Sequence, residues 1–204
     1  MSDLQSLGKD INILLHVCCG PCAEWPILSL KEEGFSITSF FYNPNIHPKV
    51  EQEKRRDNAA KLMQLQGIPF LADDSYMEDV WRTKAWESEY STRCEMCYNI
   101  RMLRAAQEAV RLGIHSFTTS LLVSPYQDHE RVIAAAQDAA KVTGVTFVYR
   151  DYRSGYREGQ NMAREHGLYR QKYCGCISSL EESVFRDKIY ESFPGSEGET
   201  RIVL

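Results

Sequence analysis

No apolar run in the sequence approaches the ~18 consecutive residues that a membrane-spanning helix requires. Residues 1–6 carry neither the basic stretch nor the apolar stretch of a secretory signal peptide. Glycine-rich phosphate loops of the GxGxxG or Walker type are also absent, so we infer no nucleotide cofactor. These absences predict a cytoplasmic protein that has no membrane partner.

The sequence also lacks an excess of positive charge. Its 24 lysines and arginines are outnumbered by 28 aspartates and glutamates, which gives a formal net charge of −4. The chain as a whole therefore does not attract nucleic acid, and any such partner must contact a local patch. The apolar content of 43% and the charged content of 25% are typical of a globular protein and exclude a disordered or collagen-like chain.

Short apolar segments alternate with longer helical ones along the chain. We predict strands over residues 11–17, 35–42, 68–71, 115–119 and 145–149, and helices over 21–33, 50–66, 97–112 and 127–142. Further helical stretches are predicted over 76–89, 159–165 and 178–192. This alternation is the pattern of an α/β domain with a mostly parallel sheet flanked by helices. We predict one such domain over residues 1–193, with a helical C-terminal extension, and a mobile tail over 194–204.

Seven cysteines fall into three groups, which are Cys18, Cys19 and Cys22, then Cys94 and Cys97, then Cys174 and Cys176. The first group follows a predicted strand, at the end of a parallel sheet where ligands bind. The second group opens a predicted helix, where the helix dipole favours thiolate, so it could reach the same rim. In a reducing compartment, clustered cysteines indicate metal or redox chemistry rather than structural disulfides.

The identity of the centre has several interpretations. Four thiolates suit either zinc or an iron–sulfur cluster. We favour a redox metal centre, because adjacent Cys18 and Cys19 are unusual for a structural zinc site and seven thiols exceed its needs. Cys174 and Cys176 could form a strained, easily reduced disulfide or supply two more metal ligands. Two alternatives stay open: a thioredoxin-like dithiol oxidoreductase that uses Cys19 and Cys22, and a zinc-bound RNA-binding module.

Residues 150–172 form a basic stretch within this acidic chain. Six cations against three carboxylates give the stretch a net charge of +3, and three tyrosines interleave with them. Basic residues with aromatics suit contact with RNA phosphates and stacking on an unpaired base. The alternative interpretation is a solvated helix face with core tyrosines.

Five motifs occur in an order that is specific for one protein family. They are LHVCCGPC at 15–22, YNPNI at 42–46, RCEMC at 93–97, FTTSLLVSP at 117–125 and LYRQKYCGC at 168–176. With them, the chain resembles the QueH-type epoxyqueuosine reductases from about residue 11 to about residue 180. The resemblance implies a Rossmann-like sheet and a cobalamin-independent enzyme for the last step of queuosine synthesis. Such an enzyme reduces epoxyqueuosine to queuosine at the wobble position of tRNA.

The resemblance also implies roles for individual residues. A [4Fe-4S] cluster would be bound by Cys18, Cys19, Cys94 and Cys97. A further mononuclear iron would draw on some of the same thiols, and we include Cys22 in this metal site. Cys174 and Cys176 would form a redox-active disulfide. The implied partners are tRNA with epoxyqueuosine in its anticodon loop and an electron donor that the sequence does not identify.

With this resemblance, RNA contact explains the basic stretch better than a solvated face does. The residues that we predict to contact tRNA are Arg153, Arg157, Tyr169, Arg170 and Lys172.

Reduction of an epoxide to an alkene takes two electrons and two protons and releases water. Thiols are the side chains that can supply such electrons, so a cluster or a dithiol is needed. By residue type, His16, His47, Asp151 and Tyr173 could protonate the leaving oxygen. We predict Asp151 for a catalytic role because it follows the fifth strand, whereas His16 is expected in the core and His47 in solvent.

Overall fold

A five-stranded parallel sheet forms the centre of the computed structural model, which describes residues 11–192. The strands are β1 (Ile11–His16), β2 (Phe35–Tyr42), β3 (Phe70–Asp73), β4 (Ser116–Thr119) and β5 (Thr146–Phe147). Their order across the sheet is β3-β2-β1-β4-β5. The chain therefore builds outward from β1 in one direction and then in the other. The reversal opens a crevice at the carboxyl ends of β1 and β4, where ligands bind in this class of fold.

The register of the strands brings their carboxyl ends level. His16, the last residue of β1, pairs with Phe40 of β2 and with Thr119, the last residue of β4. Residues that follow β1 and β4 therefore meet at the same edge of the sheet. This edge receives the first cysteine group and Ser120.

Helices cover both faces of the sheet. They are α1 (Gly20–Glu32), α2 (Lys49–Gln66), α3 (Glu78–Arg82), α4 (Arg93–Arg111), α5 (His129–Thr143), α6 (Tyr156–Glu165), α7 (Ile177–Glu181) and α8 (Arg186–Glu191). Successive strand residues point to opposite faces. Leu14 therefore packs with α4 and α5, while Ile13 and Leu15 pack with α1, α2 and α6. Across residues 11–192, no helix combines the length and the apolar character that a bilayer crossing requires.

A third apolar cluster joins the C-terminal extension to the domain. Trp81 of α3, Cys97 of α4, and Tyr173, Cys176 and Leu180 around α7 are all buried in it. The third cysteine group is thereby packed against the helix that carries the second group. Residues separated by about 80 positions in the sequence become neighbours through this cluster.

The predicted fold class is confirmed, but several element boundaries differ from the prediction. Helix α4 begins at Arg93 rather than at residue 97 because Thr92 Oγ1 accepts a hydrogen bond from Glu95 N at 3.1 Å. Glu95 Oε2 in turn accepts one from Ser91 N at 3.0 Å, so both ends of a capping arrangement are in place. Cys94 and Cys97 consequently both lie inside the helix.

The other differences concern the bounds of the two edge strands and the length of two predicted helices. β3 lies two residues later than predicted, and β5 is reduced to two residues. The helix predicted over 178–192 is two short helices, α7 and α8, and that predicted over 76–89 is α3 followed by a 3-10 turn. The tail predicted to be mobile, residues 194–204, lies outside the described residues, as do residues 1–10.

Candidate metal centre

The first cysteine group converges on one point. Cys19 caps the N-terminus of α1, and Cys22 is the third residue of that helix. The sulfurs of Cys18, Cys19 and Cys22 all lie within 4.8 Å of one another, and those of Cys18 and Cys19 are 3.9 Å apart. Sulfurs bound at ~2.3 Å to one tetrahedral metal are about 3.8 Å apart, so the triad fits a thiolate-bound metal. Within residues 11–192, no other group of three or more Cys, His or acidic side chains converges so closely.

The three thiols of the triad differ in acidity. The pKa of Cys18 lies well below its usual range, chiefly because the thiols of Cys19 and Cys22 hydrogen-bond to it. Burial raises the pKa of Cys19, and the hydrogen bond to Cys18 raises that of Cys22. Ser120 Oγ donates to Cys18 Sγ at 3.3 Å and accepts from Cys18 N at 3.0 Å. A metal that bound all three sulfurs would displace the protons that Cys19 and Cys22 hold more tightly than a free thiol does.

A glutamine that the sequence analysis missed also contacts the triad. Gln171 Nε2 donates to Cys19 Sγ at 3.2 Å and to Cys22 Sγ at 3.6 Å. Hydrogen bonds of this kind orient metal ligands and tune the bound metal. The only signal in the sequence was the position of Gln171 inside the motif that ends in the CxC pair.

The other four cysteines line a second, small cavity. Its volume is about 20 Å³, enough for one water-sized group, and its sulfurs are those of Cys94, Cys97, Cys174 and Cys176. Asn45 and Arg101 line it too, and Asn45 Oδ1 and Arg101 Nε are buried with no hydrogen-bond partner among the described residues. Buried polar atoms are rarely left unpaired. Four soft sulfur donors therefore line one small space, but no three of these described thiols lie within 4.8 Å of one another.

Three of the thiols around this cavity hold their protons more tightly than a free cysteine does. Burial raises the pKa of Cys97 to about 12, although the positive charge of Arg101 opposes the shift. Burial also raises the pKa of Cys94 and of Cys176. Binding of a metal by these thiols would therefore displace protons.

Arg101 lies between the two cysteine sets. One helical turn after Cys97, its Nη1 donates to Cys97 Sγ at 3.7 Å, and its Nη2 donates to Asn43 Oδ1 at 2.6 Å. Its charge also contributes to the lowered pKa of Cys18. Among the described residues, no group of three thiols within 4.8 Å spans both sets. The four predicted cluster ligands are thus divided between the triad and the small cavity, with a buried guanidinium joining them.

The CxC pair is held by its backbone. Gly175 has a φ of +143°, a backbone angle that residues other than glycine rarely adopt. The Arg55 guanidinium donates to the carbonyls of Cys174 at 2.9 Å and Tyr173 at 3.2 Å, and a buried ion pair with Glu51 at 2.7 Å fixes it. A Cβ on Gly175 would lie 3.2 Å from Arg55 Nη1. All seven cysteines are free thiols in this structure.

A second glutamine contacts the CxC pair. Gln127 Nε2 donates to Cys174 Sγ at 3.7 Å, and the Tyr98 hydroxyl donates to Gln127 Oε1 at 2.7 Å. The tyrosine thereby fixes which end of the amide faces the sulfur. Each cysteine set has one glutamine amide directed at its sulfurs.

Two of the candidate proton donors are histidines, and the structure buries both of them. His47 was expected in solvent, and this was wrong: it is fully buried, donates from Nε2 to Pro44 O and accepts at Nδ1 from Ile177 N. Burial lowers its pKa to about 4. His16 is buried as expected, and burial lowers its pKa to about 3. The Tyr173 hydroxyl donates to His47 O.

Asp151 lies on the surface in an ion pair with Arg153. Arg153 Nε and Nη2 donate to its two oxygens at 2.8 and 2.6 Å, and these bonds hold the pKa of Asp151 at about 2. The carboxylate is therefore ionised at neutral pH and has no proton to give. Asp151 lines neither of the cavities beside the cysteines.

Most of the residues predicted to contact RNA are exposed to solvent. Arg153, Arg157, Arg170 and Lys172 are exposed. Tyr169 is half-buried, its hydroxyl donates to buried Glu51, and Lys54 Nζ lies 3.8 Å from its ring centre. Of the interleaved tyrosines, Tyr152 is a core residue.

An open cavity of about 530 Å³ adjoins the small one. The two share Arg93, Cys94 and Tyr98. The remaining residues of its wall are Trp86, Ser91, Thr92, Tyr126, Asp128 and Arg131. Any molecule in the open cavity would touch the rim of the cysteine site.

Comparisons with known proteins identify the family of the chain. The family model for epoxyqueuosine reductase QueH matches residues 13–182. A protein of that name from Dehalococcoides mccartyi is 34% identical over 172 residues, covering 84% of this chain and 93% of the relative. Another from Thermotoga maritima is 36% identical over 179 residues, covering 84% and 91%.

A solved structure shares the fold. It is the U34-tRNA thiolase NcsA from Methanococcus maripaludis with its [4Fe-4S] cluster. The TM-score is 0.51 at 15% identity, and the match covers 95% of this chain and 70% of that one. At this identity the likeness concerns the fold alone.

Proposed function

The chain belongs to the QueH family of epoxyqueuosine reductases, and we propose that it reduces epoxyqueuosine to queuosine at the wobble position of tRNA. The observation that carries the proposal is the convergence of three thiols at one point, joined through Arg101 to a cavity lined by the other four. Epoxide reduction requires an electron source, and these thiols with a bound metal are the groups of the described chain that suit it.

The proposed reaction balances with one dithiol. Both C–O bonds of the epoxide break, an alkene forms, and the oxygen leaves as water after taking up two protons. Oxidation of Cys174 and Cys176 to a disulfide releases two electrons and two protons. A separate electron donor then reduces the disulfide for the next turnover. Cys174 is exposed and can meet such a donor, whereas Cys176 is buried.

We propose a [4Fe-4S] cluster on Cys18, Cys19, Cys94 and Cys97, with Cys22 available to a further iron. Thiolates are the ligands that such clusters take, and the two pairs would have to approach each other to share one cluster, because no three of these four sulfurs lie within 4.8 Å. Such a centre, when bound, supplies one-electron transfer and a Lewis-acidic iron for the epoxide oxygen. The protein's own contribution is to hold the sulfurs and place charge near them. Arg101 offsets the negative charge of the thiolates, and Gln171 directs its amide at the triad.

Other side chains prepare the dithiol. Gln127, oriented by Tyr98, holds Cys174 Sγ at the cavity, and burial keeps the proton on Cys176 until it is needed. The buried histidines and the ionised Asp151 do not supply a proton from their positions, so the thiols themselves are the proton source in this scheme. The exposed cations Arg153, Arg157, Arg170 and Lys172, with Tyr169, are proposed to contact the tRNA backbone.

Metal analysis of anaerobically purified protein tests the centre. We expect about four irons and four sulfides per chain with a broad absorption near ~400 nm, and iron above four if the further site is filled. One zinc without sulfide would contradict the reductase and favour a zinc-bound RNA-binding module.

Turnover of tRNA that carries epoxyqueuosine tests the reaction. Wild-type protein with a chemical reductant should produce queuosine, and a C94A/C97A variant should not. If that variant kept its activity while C19A/C22A lost it, a thioredoxin-like dithiol mechanism would replace the one proposed.

A further inference from the structure

The open cavity beside Cys94 has the chemistry of a nucleobase pocket. We propose that it receives the unpaired wobble base of the tRNA, stacked on Tyr126 and Trp86, with Arg131 at a neighbouring phosphate. This inference rests on the proposed function and adds where and how the substrate is bound. It adds a site for the base to the tRNA contacts proposed for the basic stretch of residues 150–172.

The size and the aromatic walls of the cavity support the assignment. Its volume of about 530 Å³ lies in the ~300–1,000 Å³ range of small-molecule sites. Tyr126 is 82% exposed, so its ring has a face free for stacking. Aromatic rings that present such faces are the usual platform for unpaired bases.

Tyr126 is held in place although it is exposed. Its ring meets that of Tyr156 edge to face, with the centroids 6.0 Å apart. Tyr156 is the first residue of α6, the helix that also carries Arg157. Tyr126 therefore lies beside the helix that carries one of the cations proposed to contact the tRNA backbone.

Two arginines belong to the cavity wall. Arg131 donates to Thr92 Oγ1 at 2.7 Å and pairs with Asp128 at 3.1 Å, which fixes its guanidinium, and 46% of its side chain stays exposed. Arg93 pairs with Glu182, which lies outside the cavity wall. Each arginine is thus paired with a carboxylate, and what the wall offers a ligand is the exposed part of the Arg131 side chain. Such a site suits a phosphate.

The position of the cavity connects binding to chemistry. Cys94, Arg93 and Tyr98 belong to the walls of both cavities. A base stacked at Tyr126 would direct its substituent past Cys94 toward the sulfurs. Extrusion of this base costs little because it already lies in a single-stranded loop.

The test compares binding by variants of the metal-loaded protein. An anticodon stem-loop that carries epoxyqueuosine and a fluorophore is titrated with wild type, Y126A, Y126F and R131Q. Y126A should weaken binding by about 5- to 150-fold, whereas Y126F should bind within about 2-fold of wild type, because stacking needs the ring and not the hydroxyl. R131Q should weaken binding and reduce the slope of log affinity against log salt by about 1.

Matched controls lie away from the cavity. Y149A removes a half-exposed tyrosine near β5, and R111Q removes a cation at the far end of α4, about 27 Å from Arg93 at 1.5 Å per residue. Both should bind like wild type, and all variants should keep the visible spectrum of the centre.

The outcomes separate the two proposals. If wild type binds and reduces the stem-loop but Y126A and R131Q bind equally well, the pocket is wrong and the function stands. If Y126F loses as much affinity as Y126A, a hydroxyl contact replaces stacking and the inference is overturned. If wild type neither binds nor reduces the stem-loop, the proposed function fails and the pocket fails with it.

Discussion

Arg101 donates a hydrogen bond to the sulfur of Cys97 from one helical turn away, and it is fully buried where it does so. The contact sets a permanent positive charge among seven thiols. Each thiolate that binds a metal adds negative charge, which the protein interior stabilises poorly. Arg101 offsets part of that charge at both cysteine sets, since it also lowers the pKa of Cys18.

Removal of this charge should lower the reduction potential of the bound centre. At a separation of ~5 Å and an effective dielectric constant of ~20, a unit charge contributes about 3 kcal/mol. That energy corresponds to roughly 100 mV for one electron. We therefore expect the reduction potential of R101M to lie lower than that of wild type by about this amount, and the potential of R101K to stay near the wild-type value. Potentiometric titration followed by electron paramagnetic resonance measures the shift. R104Q, one turn along the same helix and partly exposed, is the control; an unchanged potential in R101M would contradict the role.

Gln171 should matter for metal retention and Gln127 should not. Loss of a hydrogen-bond partner of a metal ligand weakens metal binding by about 10- to 100-fold. We therefore expect Q171L to lose iron to a chelator faster than wild type, while Q127L, which loses only the contact to Cys174, retains it. Iron release in a competition assay checks this. Equal release from both variants would show that the amide at the triad does not stabilise the metal.

Gly175 should tolerate alanine much less well than a glycine of similar backbone strain. Gly175→Ala adds the strain of a positive φ, about 1–3 kcal/mol, and a Cβ only 3.2 Å from Arg55 Nη1 and Ile46. Gly34 also has a positive φ, of 85°, but a Cβ there meets nothing within 4 Å. Urea unfolding should place G175A below G34A, and only G175A should lose reductase turnover. Matching values would remove the steric part of the argument.

His47 should make the protein less stable in mild acid. In the unfolded chain His47 has the ordinary histidine pKa of ~6.5. In the folded chain burial lowers the pKa of His47 to about 4. Between these values the unfolded state holds more protons, so stability is full above pH 6.5 and falls as the pH drops. His47 alone should account for a loss of about 2 kcal/mol between pH 7 and pH 5.

Urea unfolding at the two pH values measures this loss. H47Q should be less stable at pH 7 but should show a smaller decrease toward pH 5 than wild type does. H115Q alters an exposed histidine and should keep the wild-type decrease. A decrease in H47Q as large as in wild type would assign the pH effect to other groups.

Asp151→Asn should leave turnover nearly unchanged. Loss of a general acid typically costs 10²- to 10⁴-fold, whereas loss of a surface ion pair with Arg153 should change the rate by less than about 3-fold. Single-turnover kinetics on epoxyqueuosine-containing tRNA distinguish a general acid at Asp151 from a surface ion pair, with C176S as the inactive reference. A loss of more than 100-fold in D151N would restore the catalytic role that the sequence suggested.

The order and type of the elements were predictable because strand and helix periodicity is a local property. The sequence also identified the seven cysteines and the edge of the sheet where the first group lies. The start of α4 was missed because its apolar stripe begins at Cys97, while the Thr92 cap that starts the helix is polar.

Most of the remaining site residues depend on tertiary contacts that no local pattern encodes. Gln127 and Gln171 look like ordinary loop residues in the sequence, and only the fold brings them to sulfur. The contact of Arg101 with Cys97 could have been found from their i, i+4 spacing on a predicted helix. His47 stands in a loop rich in proline and asparagine, which indicates solvent, yet the C-terminal extension covers it. Burial by a distant segment changes such a residue's role without any change near it in the sequence.

The third apolar cluster has a consequence for biosynthesis. The two main cores contain most of the buried apolar side chains of the described residues, and none of these side chains belongs to α7 or α8. Cys174 and Cys176 join Cys94 and Cys97 only when that extension docks on α3 and α4. During translation the triad of Cys18, Cys19 and Cys22 is complete early, whereas the second set waits until residue 176 has left the ribosome. A centre that used both cysteine sets could therefore be assembled only after the segment that carries Cys174 and Cys176 has packed against α3 and α4.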